Sequence, residues 1–167
     1  MGPKAHKHEA PRTLRVAVLT VSTSRGLDAD KSGHWMSRHA RREGHEVIAH
    51  QVVADDRLEI SRKLMALIDA HAPDLVLVNG GTGLSPSDVT IEAIAPLFKK
   101  ELTAFAHLFS QLSFEEIDSA AIVSRATGGI IQQTAVFCLP GSLNACKLAC
   151  KALIFPEAGH IAMHLRR

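Results

Sequence analysis

The fold is decided by the stretch Leu75-Val76-Leu77-Val78-Asn79-Gly80-Gly81-Thr82-Gly83-Leu84-Ser85-Pro86-Ser87-Asp88-Val89-Thr90. It opens with an apolar run, which is typical of a strand buried on both faces of a parallel sheet. Glycines follow on both sides of Thr82, where the backbone is free to adopt a positive φ and to approach a ligand closely. The apolar periodicity of residues 89–98 then predicts a helix.

A strand, a glycine turn and a helix in this order direct backbone N–H groups and a helix dipole at one point. Such a point binds anions, typically a phosphate. The Thr82 hydroxyl adds a donor, and the Asp88 carboxylate is placed to hold a divalent cation against that phosphate. A purely structural alternative stays open, in which the turn is only a tight connection and Asp88 or Thr90 caps the helix.

The composition limits the class of protein and its partners. The chain has 167 residues, 46% of them apolar and 22% charged, which predicts one soluble globular domain. The net charge of +2 gives no reason to expect a nucleic acid or a membrane as partner. A phosphate-rich small molecule would need only local cations, for which Arg25, Lys31 and Arg125 are candidates.

The N-terminal residues and the cysteines allow further predictions about domain bounds, location and redox state. Residues 1–13 are polar, lack the apolar segment of a signal peptide and are predicted to be a disordered lead-in to a single domain at 14–167. The cytoplasm is therefore the expected location. Cys138, Cys146 and Cys150 show no spacing typical of a zinc site, and we expect buried, reduced thiols.

Apolar runs and turn signals divide the chain into alternating strands and helices. Strands are predicted at 15–22, 46–53, 75–78, 119–124 and 135–139. Helices are predicted at 34–42, 58–71, 89–98, 101–114, 144–154 and 157–165. This alternation predicts an α/β fold, a three-layer αβα sandwich with a mostly parallel central sheet.

Two local features of this pattern leave alternatives open. Strand-like runs on both sides of Gly128-Gly129 suggest a hairpin or a sheet-edge feature. The helix at 101–114 places an apolar set on one face, which would belong either to the core or to a subunit interface. The members of that set are Phe105, Leu108, Phe109 and Leu112.

Polar groups follow four of the predicted strands at their carboxyl ends. They are Thr20 with Ser22, Asp55 with Asp56, the loop 80–88, and Pro140-Gly141-Ser142. Because parallel strands end at the same edge of a sheet, these groups could converge on one cleft. The structural alternatives are a polar surface turn at residues 20–26 and helix N-caps at the paired aspartates.

The residue types at these strand ends favour one kind of chemistry. Spare carboxylates beside a glycine loop, without a Ser-His-Asp order or an activated cysteine, favour Mg²⁺-assisted work on a phosphate over acyl transfer. The glycine loop lacks the lysine of a P-loop, and no G-x-G-x-x-G follows the first strand. P-loop enzymes and dinucleotide-dependent dehydrogenases are therefore not expected.

The loop Gly80-Gly81-Thr82-Gly83-Leu84-Ser85-Pro86-x-Asp88-Val89-Thr90 closely resembles the signature of the MoaB and Mog proteins of molybdenum cofactor biosynthesis. Their relatives are the molybdopterin adenylyltransferase domains of gephyrin and Cnx type. The resemblance covers about residues 14–160 and extends in order through further motifs. These are Leu19-Thr20-Val21-Ser22, Ser32-Gly33, Gly44-His45, Val53-Ala54-Asp55-Asp56, Ser124-Arg125-Ala126 and Leu139-Pro140-Gly141-Ser142.

The resemblance implies a homotrimer or homohexamer that works in molybdopterin metabolism. Competent members of the family transfer AMP from MgATP to the terminal phosphate of molybdopterin and release pyrophosphate. The two essential acids of the family fall on Asp55 and Asp88, which would hold the Mg²⁺. The ligand-contacting positions fall on Ser22, Gly80, Gly81, Thr82, Gly83, Ser124, Pro140, Gly141 and Ser142, to which the strand-end argument adds Thr20.

Two departures from the family pattern keep a second function open. Ser87 stands where the family usually has an arginine, and Thr23 stands where an aspartate is frequent. The retained Asp55 and Asp88 favour a molybdopterin adenylyltransferase that uses ATP. The departures favour a non-catalytic, oligomeric pterin-binding or scaffold protein of the MoaB type. A nucleotide-sensing domain unrelated to molybdenum is a third, more distant alternative.

Overall fold

The computed structural model describes residues 11–166, whose strands form one six-stranded sheet. The predicted lead-in at 1–13 lies outside the described residues except for its last three. The strands are β1 (Arg15–Val21), β2 (Glu46–Val53), β3 (Leu75–Asn79), β4 (Lys100–Glu101), β5 (Thr127–Ile131) and β6 (Thr134–Leu139). Their order across the sheet is β2-β1-β3-β6-β5-β4. The first four strands of this order are parallel, and β5 and β4 continue the sheet antiparallel.

Helices cover both faces of this sheet. They are α1 (Lys31–Arg42), α2 (Arg57–His71), α3 (Thr90–Ile94), α4 (Thr103–Ile117), α5 (Leu143–Ala149) and α6 (Phe155–Leu165). One core cluster joins α1, α4, α5 and α6 to the sheet, and a second cluster joins α2 and α3 to it. The predicted three-layer α/β sandwich with a mostly parallel sheet is confirmed. Among the described residues, no helix is long and apolar enough to cross a membrane.

The central strand β3 is apolar from Leu75 to Val78 because both of its faces are covered. Successive side chains of a strand point to opposite faces, so Leu75 and Leu77 enter one core cluster while Val76 and Val78 enter the other. All four side chains are at most 2% exposed. A continuous apolar run therefore predicted this strand correctly, as expected for a strand inside a parallel sheet.

The strand predicted at 119–124 is wrong, because residues Asp118–Val123 form a 3-10 helix. Ile122 is 88% exposed and Val123 is 52% exposed, so the apolar character of this run does not reflect burial in a sheet. The hairpin prediction at Gly128-Gly129 is correct in part. Both glycines lie inside β5, the turn follows at residues 132–133, and β4 pairs beside them as an edge strand.

The apolar face predicted for α4 belongs to the core at two of its positions. Phe109 is fully buried and Phe105 is 7% exposed, and the Phe105 ring meets the Phe137 ring of β6 at a centroid distance of 4.7 Å. Leu108 is 47% exposed on the outer side of the same helix. The phenylalanines are therefore core residues, and only the flank of this face is open.

The last helical stretch is continuous, whereas two helices were predicted. A π-helical turn at Cys150–Ile154 joins α5 to α6. Pro156 lacks an N–H and its ring collides with the preceding helical turn, and a widened turn accommodates both effects. The three cysteines are free and buried as predicted, and burial raises the pKa of the Cys146 thiol to about 12.

A buried polar network joins α1 to the first strands. Asp30 is 2% exposed and caps α1 by accepting a hydrogen bond from the Gly33 N–H at 2.8 Å. Its other carboxylate oxygen accepts from the Thr20 hydroxyl and lies 2.7 Å from His50 Nε2. Burial raises the pKa of Asp30, but the hydrogen bonds from His50, Thr20 and Gly33 outweigh it and hold the pKa below its ordinary value.

Phe109→Ala should lower the free energy of unfolding by about 3–5 kcal/mol, since it removes a fully buried aromatic side chain. Leu58 on α2 is 63% exposed, and Leu58→Ala should change this free energy by less than about 1 kcal/mol. Urea denaturation of the two variants measures both values. Equal losses would contradict the assignment of Phe109 to the core.

Asp30→Asn should destabilise the protein by about 2 kcal/mol at pH 7, because charged hydrogen bonds are lost. A carboxyl whose folded pKa is lowered stabilises the fold above its unfolded pKa, and that contribution disappears as the pH falls through the folded pKa. The difference in the free energy of unfolding between wild type and Asp30→Asn should therefore shrink below about pH 4. Asp28→Asn, at an exposed position nearby, is the control and should show no gap. A gap that stays constant down to pH 2 would refute the account of Asp30.

Candidate functional site

A cavity of about 360 Å³ opens where the carboxyl ends of β1, β2, β3 and β6 meet. The four polar strand ends converge there, as the sequence predicts for a parallel sheet. Its lining residues are Val21, Ser22, Ser24, Arg25, Asp55, Gly80, Gly81, Thr82, Gly83, Asp88, Val123, Ser124, Arg125, Pro140 and Gly141. The cavity is therefore built by the sheet edge together with the segment that precedes β5.

The glycine loop after β3 leaves the sheet through two left-handed residues, Gly80 at φ 93° and Gly81 at φ 64°. A Cβ at Gly80 would collide with the Val21 carbonyl, and one at Gly81 would collide with the Thr90 hydroxyl. Thr90 also holds the turn, because its hydroxyl donates to the Gly80 carbonyl at 2.7 Å and its N–H donates to the Gly81 carbonyl at 2.9 Å. These glycines are thus required by the backbone itself.

The backbone N–H groups of Gly81, Thr82 and Gly83 are candidates for binding an anion. Within residues 11–166, none of these N–H groups has an acceptor, whereas the Gly80 N–H donates to the Leu139 carbonyl at 3.0 Å. Successive free N–H groups in a left-handed turn form a concave surface that binds phosphate oxygens. The loop that the sequence singled out therefore has the geometry of an anion cradle.

Asp55 is held in place by the first loop of the site. One of its carboxylate oxygens accepts hydrogen bonds from the Thr23 N–H at 2.7 Å and from the Thr23 hydroxyl at 2.8 Å. The Thr23 hydroxyl in turn accepts from the Asp55 N–H at 3.0 Å. The other oxygen of Asp55 lies 3.1 Å from the position that a Cβ of Gly81 would occupy. The carboxylate is therefore fixed against the glycine loop.

Asp88 lies at the far end of the same loop. Its carboxylate accepts a hydrogen bond from the Ser85 N–H at 2.9 Å and lies 2.6 Å from the position of a Cβ on Gly83. Within the described residues, neither Asp55 nor Asp88 forms an ion pair with a lysine or arginine. Two carboxylates without cationic partners in one cavity are available as ligands for a metal ion.

The donors in this cavity suit Mg²⁺. Carboxylate oxygens are the ligands that Mg²⁺ prefers, and it usually binds one or two of them while substrate phosphates and water complete its octahedron. Among residues 11–166 there is no group of three or more His, Cys, Asp or Glu side chains that could hold a metal without such help. Asp55 and Asp88 thus fit a magnesium ion that arrives with a phosphate ligand.

Arg125 holds the glycine loop from outside, a role that the sequence did not indicate. Its Nε donates to the Thr82 carbonyl and its Nη2 to the Gly83 carbonyl, both at 2.9 Å. Its Nη1 lies 2.6 Å from Glu92 on α3. The hydrogen bond from Arg125 holds the pKa of Glu92 below its ordinary value. The sequence makes Arg125 a candidate cation for a phosphate, but these contacts already engage its guanidinium.

Arg25 is the better candidate for that charge. It lines the cavity, and within the described part of the chain its guanidinium has no hydrogen-bond or ion-pair partner. Its backbone N–H donates to the Ser22 hydroxyl at 3.1 Å, which holds the loop after β1 against the cavity. Lys31, the third candidate cation, begins α1 and does not line the cavity.

Three residues at the predicted strand ends have structural roles instead of facing the cavity. Asp56 caps α2 by accepting from the Leu58 and Glu59 N–H groups, and Ser142 caps α5 by accepting from the Ala145 N–H. Thr20 is buried beneath the site, where it accepts from the Asn79 side chain at 2.8 Å and donates to Asp30. Asp56 is therefore a helix N-cap, which is the structural alternative that the sequence left open for the paired aspartates.

Comparisons with known proteins agree on one family. The family described as "Probable molybdopterin binding domain" matches residues 17–160. Molybdenum cofactor biosynthesis protein B of Bacillus subtilis is 47% identical over 168 residues, covering 100% of this chain and 99% of the relative. A protein of Pyrococcus furiosus named molybdopterin adenylyltransferase is 41% identical, covering 99% of both chains.

Solved structures agree with these relatives. A crystal structure of molybdenum cofactor biosynthesis protein B superposes with a TM-score of 0.91 at 42% identity, covering 95% of this chain and 99% of that one. The tungsten cofactor synthesizing protein MoaB of Pyrococcus furiosus superposes with a TM-score of 0.85 at 39% identity, covering 95% and 100%. The resemblance noted in the sequence is thereby confirmed: the chain belongs to the molybdopterin binding domain family of the molybdenum cofactor biosynthesis proteins B.

Proposed function

We propose that the protein binds molybdopterin and adenylylates it with MgATP, releasing pyrophosphate, as a step of molybdenum cofactor biosynthesis. One observation carries the proposal. Asp55 and Asp88, which have no cationic partner among the described residues, line the same cavity as a glycine loop with free N–H groups. The Pyrococcus furiosus relative named molybdopterin adenylyltransferase supports the assignment of the reaction.

Each part of the cavity has a role in this reaction. Asp55 and Asp88 would hold Mg²⁺, which neutralises the charge of the triphosphate when bound. The N–H groups of residues 81–83 would donate to the α-phosphate and stabilise the charge that develops on it. An oxygen of the terminal phosphate of molybdopterin attacks the α-phosphorus in line. The bond to the bridging oxygen then breaks, and pyrophosphate leaves.

Other lining residues would orient the two substrates. The Arg25 guanidinium is placed to hold a phosphate by two parallel hydrogen bonds, as arginine does in many phosphate sites. The hydroxyls of Ser22 and Ser124, with the turn Pro140-Gly141, complete the wall of the cavity that faces the substrates.

The two departures from the family pattern have compensations in the structure, which favours the enzyme over the non-catalytic alternative. Ser87 leaves the loop without an arginine, but Arg25 brings a guanidinium to the same cavity from the neighbouring loop. Thr23 binds Asp55 through its N–H and its hydroxyl and so fixes the proposed metal ligand.

The proposal includes a homotrimer or homohexamer in the cytoplasm, as the family resemblance implies. Exposed apolar side chains on and after α4 offer surface for subunit contacts. Phe114, Ile117 and Ile122 are 58%, 50% and 88% exposed. Light scattering after size-exclusion chromatography measures the mass of the assembly, and a monomer at micromolar concentration would contradict this part of the proposal.

The test of function is an incubation of the purified protein with molybdopterin and MgATP, following pyrophosphate and adenylated pterin. We expect both products in equal amounts, and none when EDTA removes the metal. Tight binding of molybdopterin without either product would instead support the non-catalytic pterin-binding protein.

Asp88→Asn and Asp55→Asn should each lower the rate of pyrophosphate release by about 100-fold or more, because a neutral amide is a poor Mg²⁺ ligand and leaves the developing charge uncompensated. Asp56→Asn is the matched control, since Asp56 adjoins Asp55 but caps α2, and asparagine caps a helix equally well. Full activity in Asp88→Asn would refute the assigned role.

Gly83→Ala should lower activity with little effect on stability. The added Cβ would lie only 2.6 Å from an Asp88 carboxylate oxygen and would displace it. Gly83 does not have a positive φ, so the alanine adds no backbone strain. Gly81→Ala should in addition lose about 1 kcal/mol or more of stability, because it has a positive φ and meets the Thr90 hydroxyl. Turnover and urea midpoints, measured on both variants, separate the two effects. Normal turnover in Gly83→Ala would show that the position of Asp88 does not matter.

A further inference from the structure

Two helical segments gather cations around the single tryptophan of the chain. Trp35 lies on α1, and the ammonium groups of Lys147 and Lys151 lie 6.0 and 5.8 Å from the centroid of its ring. Helical residues three, four and seven positions from Trp35 share its side of α1, and all of them are basic except Ser32. We call this surface the basic face, and its cations are Lys31, Arg38, Arg42, Lys147 and Lys151.

The cations of the basic face have no acidic partners. Within residues 11–166, none of the five forms an ion pair, and α1 contains no acidic residue. Of the acids beside the face, Asp30 is buried against His50, and Glu43 lies at the edge of the face, 3.7 Å from His39. Five of the 19 lysines and arginines of the chain thus lie together on a protein whose net charge is only +2.

The neighbouring histidine, His39, lies within reach of two of these cations. The His39 ring stacks on Trp35 at a centroid distance of 4.7 Å. Burial lowers the pKa of His39, and the charges of Lys151 and Arg42 lower it further, against an opposing effect of Glu43. Positive charges held this close repel each other, and an anionic partner would relieve that repulsion.

We infer that an acidic segment of another protein docks on the basic face. A nucleic acid fits the surface less well, because Lys147, Lys151 and His39 cover the Trp35 ring on which a base would stack. The chain as a whole, with a pI near 8.5, is also less basic than is usual for nucleic-acid-binding domains. A second copy of the chain, docked face to face, would oppose like charges.

The basic face begins at the edge of the candidate site. Ser32, next to Lys31, donates a hydrogen bond from its hydroxyl to the Gly141 carbonyl at 2.8 Å, and Gly141 lines the cavity. A protein docked on the basic face therefore lies beside the cavity, where it could pass on a substrate or receive a product. The docking itself does not depend on which reaction the cavity performs.

Because Trp35 is the only tryptophan, its fluorescence reports on this surface alone. The probe is a synthetic peptide of about 12 residues rich in Asp and Glu, titrated into the full-length protein at low salt and near physiological salt. We expect a saturable change in fluorescence at low salt and an affinity at least about tenfold weaker at the higher salt. No change in fluorescence and no heat of binding at low salt would overturn the inference.

Charge reversal locates the binding. The double variant Arg38→Glu/Lys151→Glu should bind a labelled peptide at least about tenfold more weakly by fluorescence anisotropy, while its adenylyl transfer stays that of the wild type. The control Lys63→Glu/Lys99→Glu reverses two exposed lysines outside the basic face and should bind nearly as the wild type does. Equal losses in both double variants, or tighter binding of an oligonucleotide of the same charge, would contradict a protein partner on this face.

Discussion

The parallel pairing of β2, β1, β3 and β6 is the constraint on which the rest of the structure depends. It brings four carboxyl ends to one edge, and the hydrogen-bond ladder continues one residue beyond the strands. Ser22 donates to the Val53 carbonyl at 2.8 Å, and Gly80 donates to the Leu139 carbonyl at 3.0 Å. The loops that carry the candidate site therefore start in register, so that groups distant in sequence line one cavity. Their separation is set by the spacing of strands in the sheet.

Some polar groups of these loops bind other parts of the protein and hold the loops in place, while others are left available for a ligand. Thr90 and Arg125 bind carbonyl groups of the glycine loop, which leaves the N–H groups of residues 81–83 without acceptors inside the described chain. Thr23 binds one oxygen of Asp55 and leaves the other oxygen beside the loop. A site preorganised in this way offers donors and charge to a ligand without a cost for rearranging them.

Much of this arrangement could be predicted from the sequence, since continuous apolar runs identify strands buried on both faces and glycines identify the turn. The prediction failed where local pattern and tertiary contact disagree. The run 119–124 is apolar but exposed, so it forms a 3-10 helix outside the sheet. Thr20 and Arg125 are residue types that often bind phosphate. In the structure, Thr20 instead donates its hydrogen bond to the buried Asp30, and Arg125 donates to two carbonyls of the glycine loop. A local sequence pattern does not reveal those partners, because they lie at least 10 residues away in the chain.

The most direct test is a crystal structure of the protein with Mg²⁺ and a non-hydrolysable ATP analogue. The account predicts a metal ion bound to Asp55 and Asp88, and an α-phosphate within hydrogen-bonding distance of the N–H groups of residues 81–83. A triphosphate bound away from the glycine loop, or a metal ion that touches neither aspartate, would contradict it.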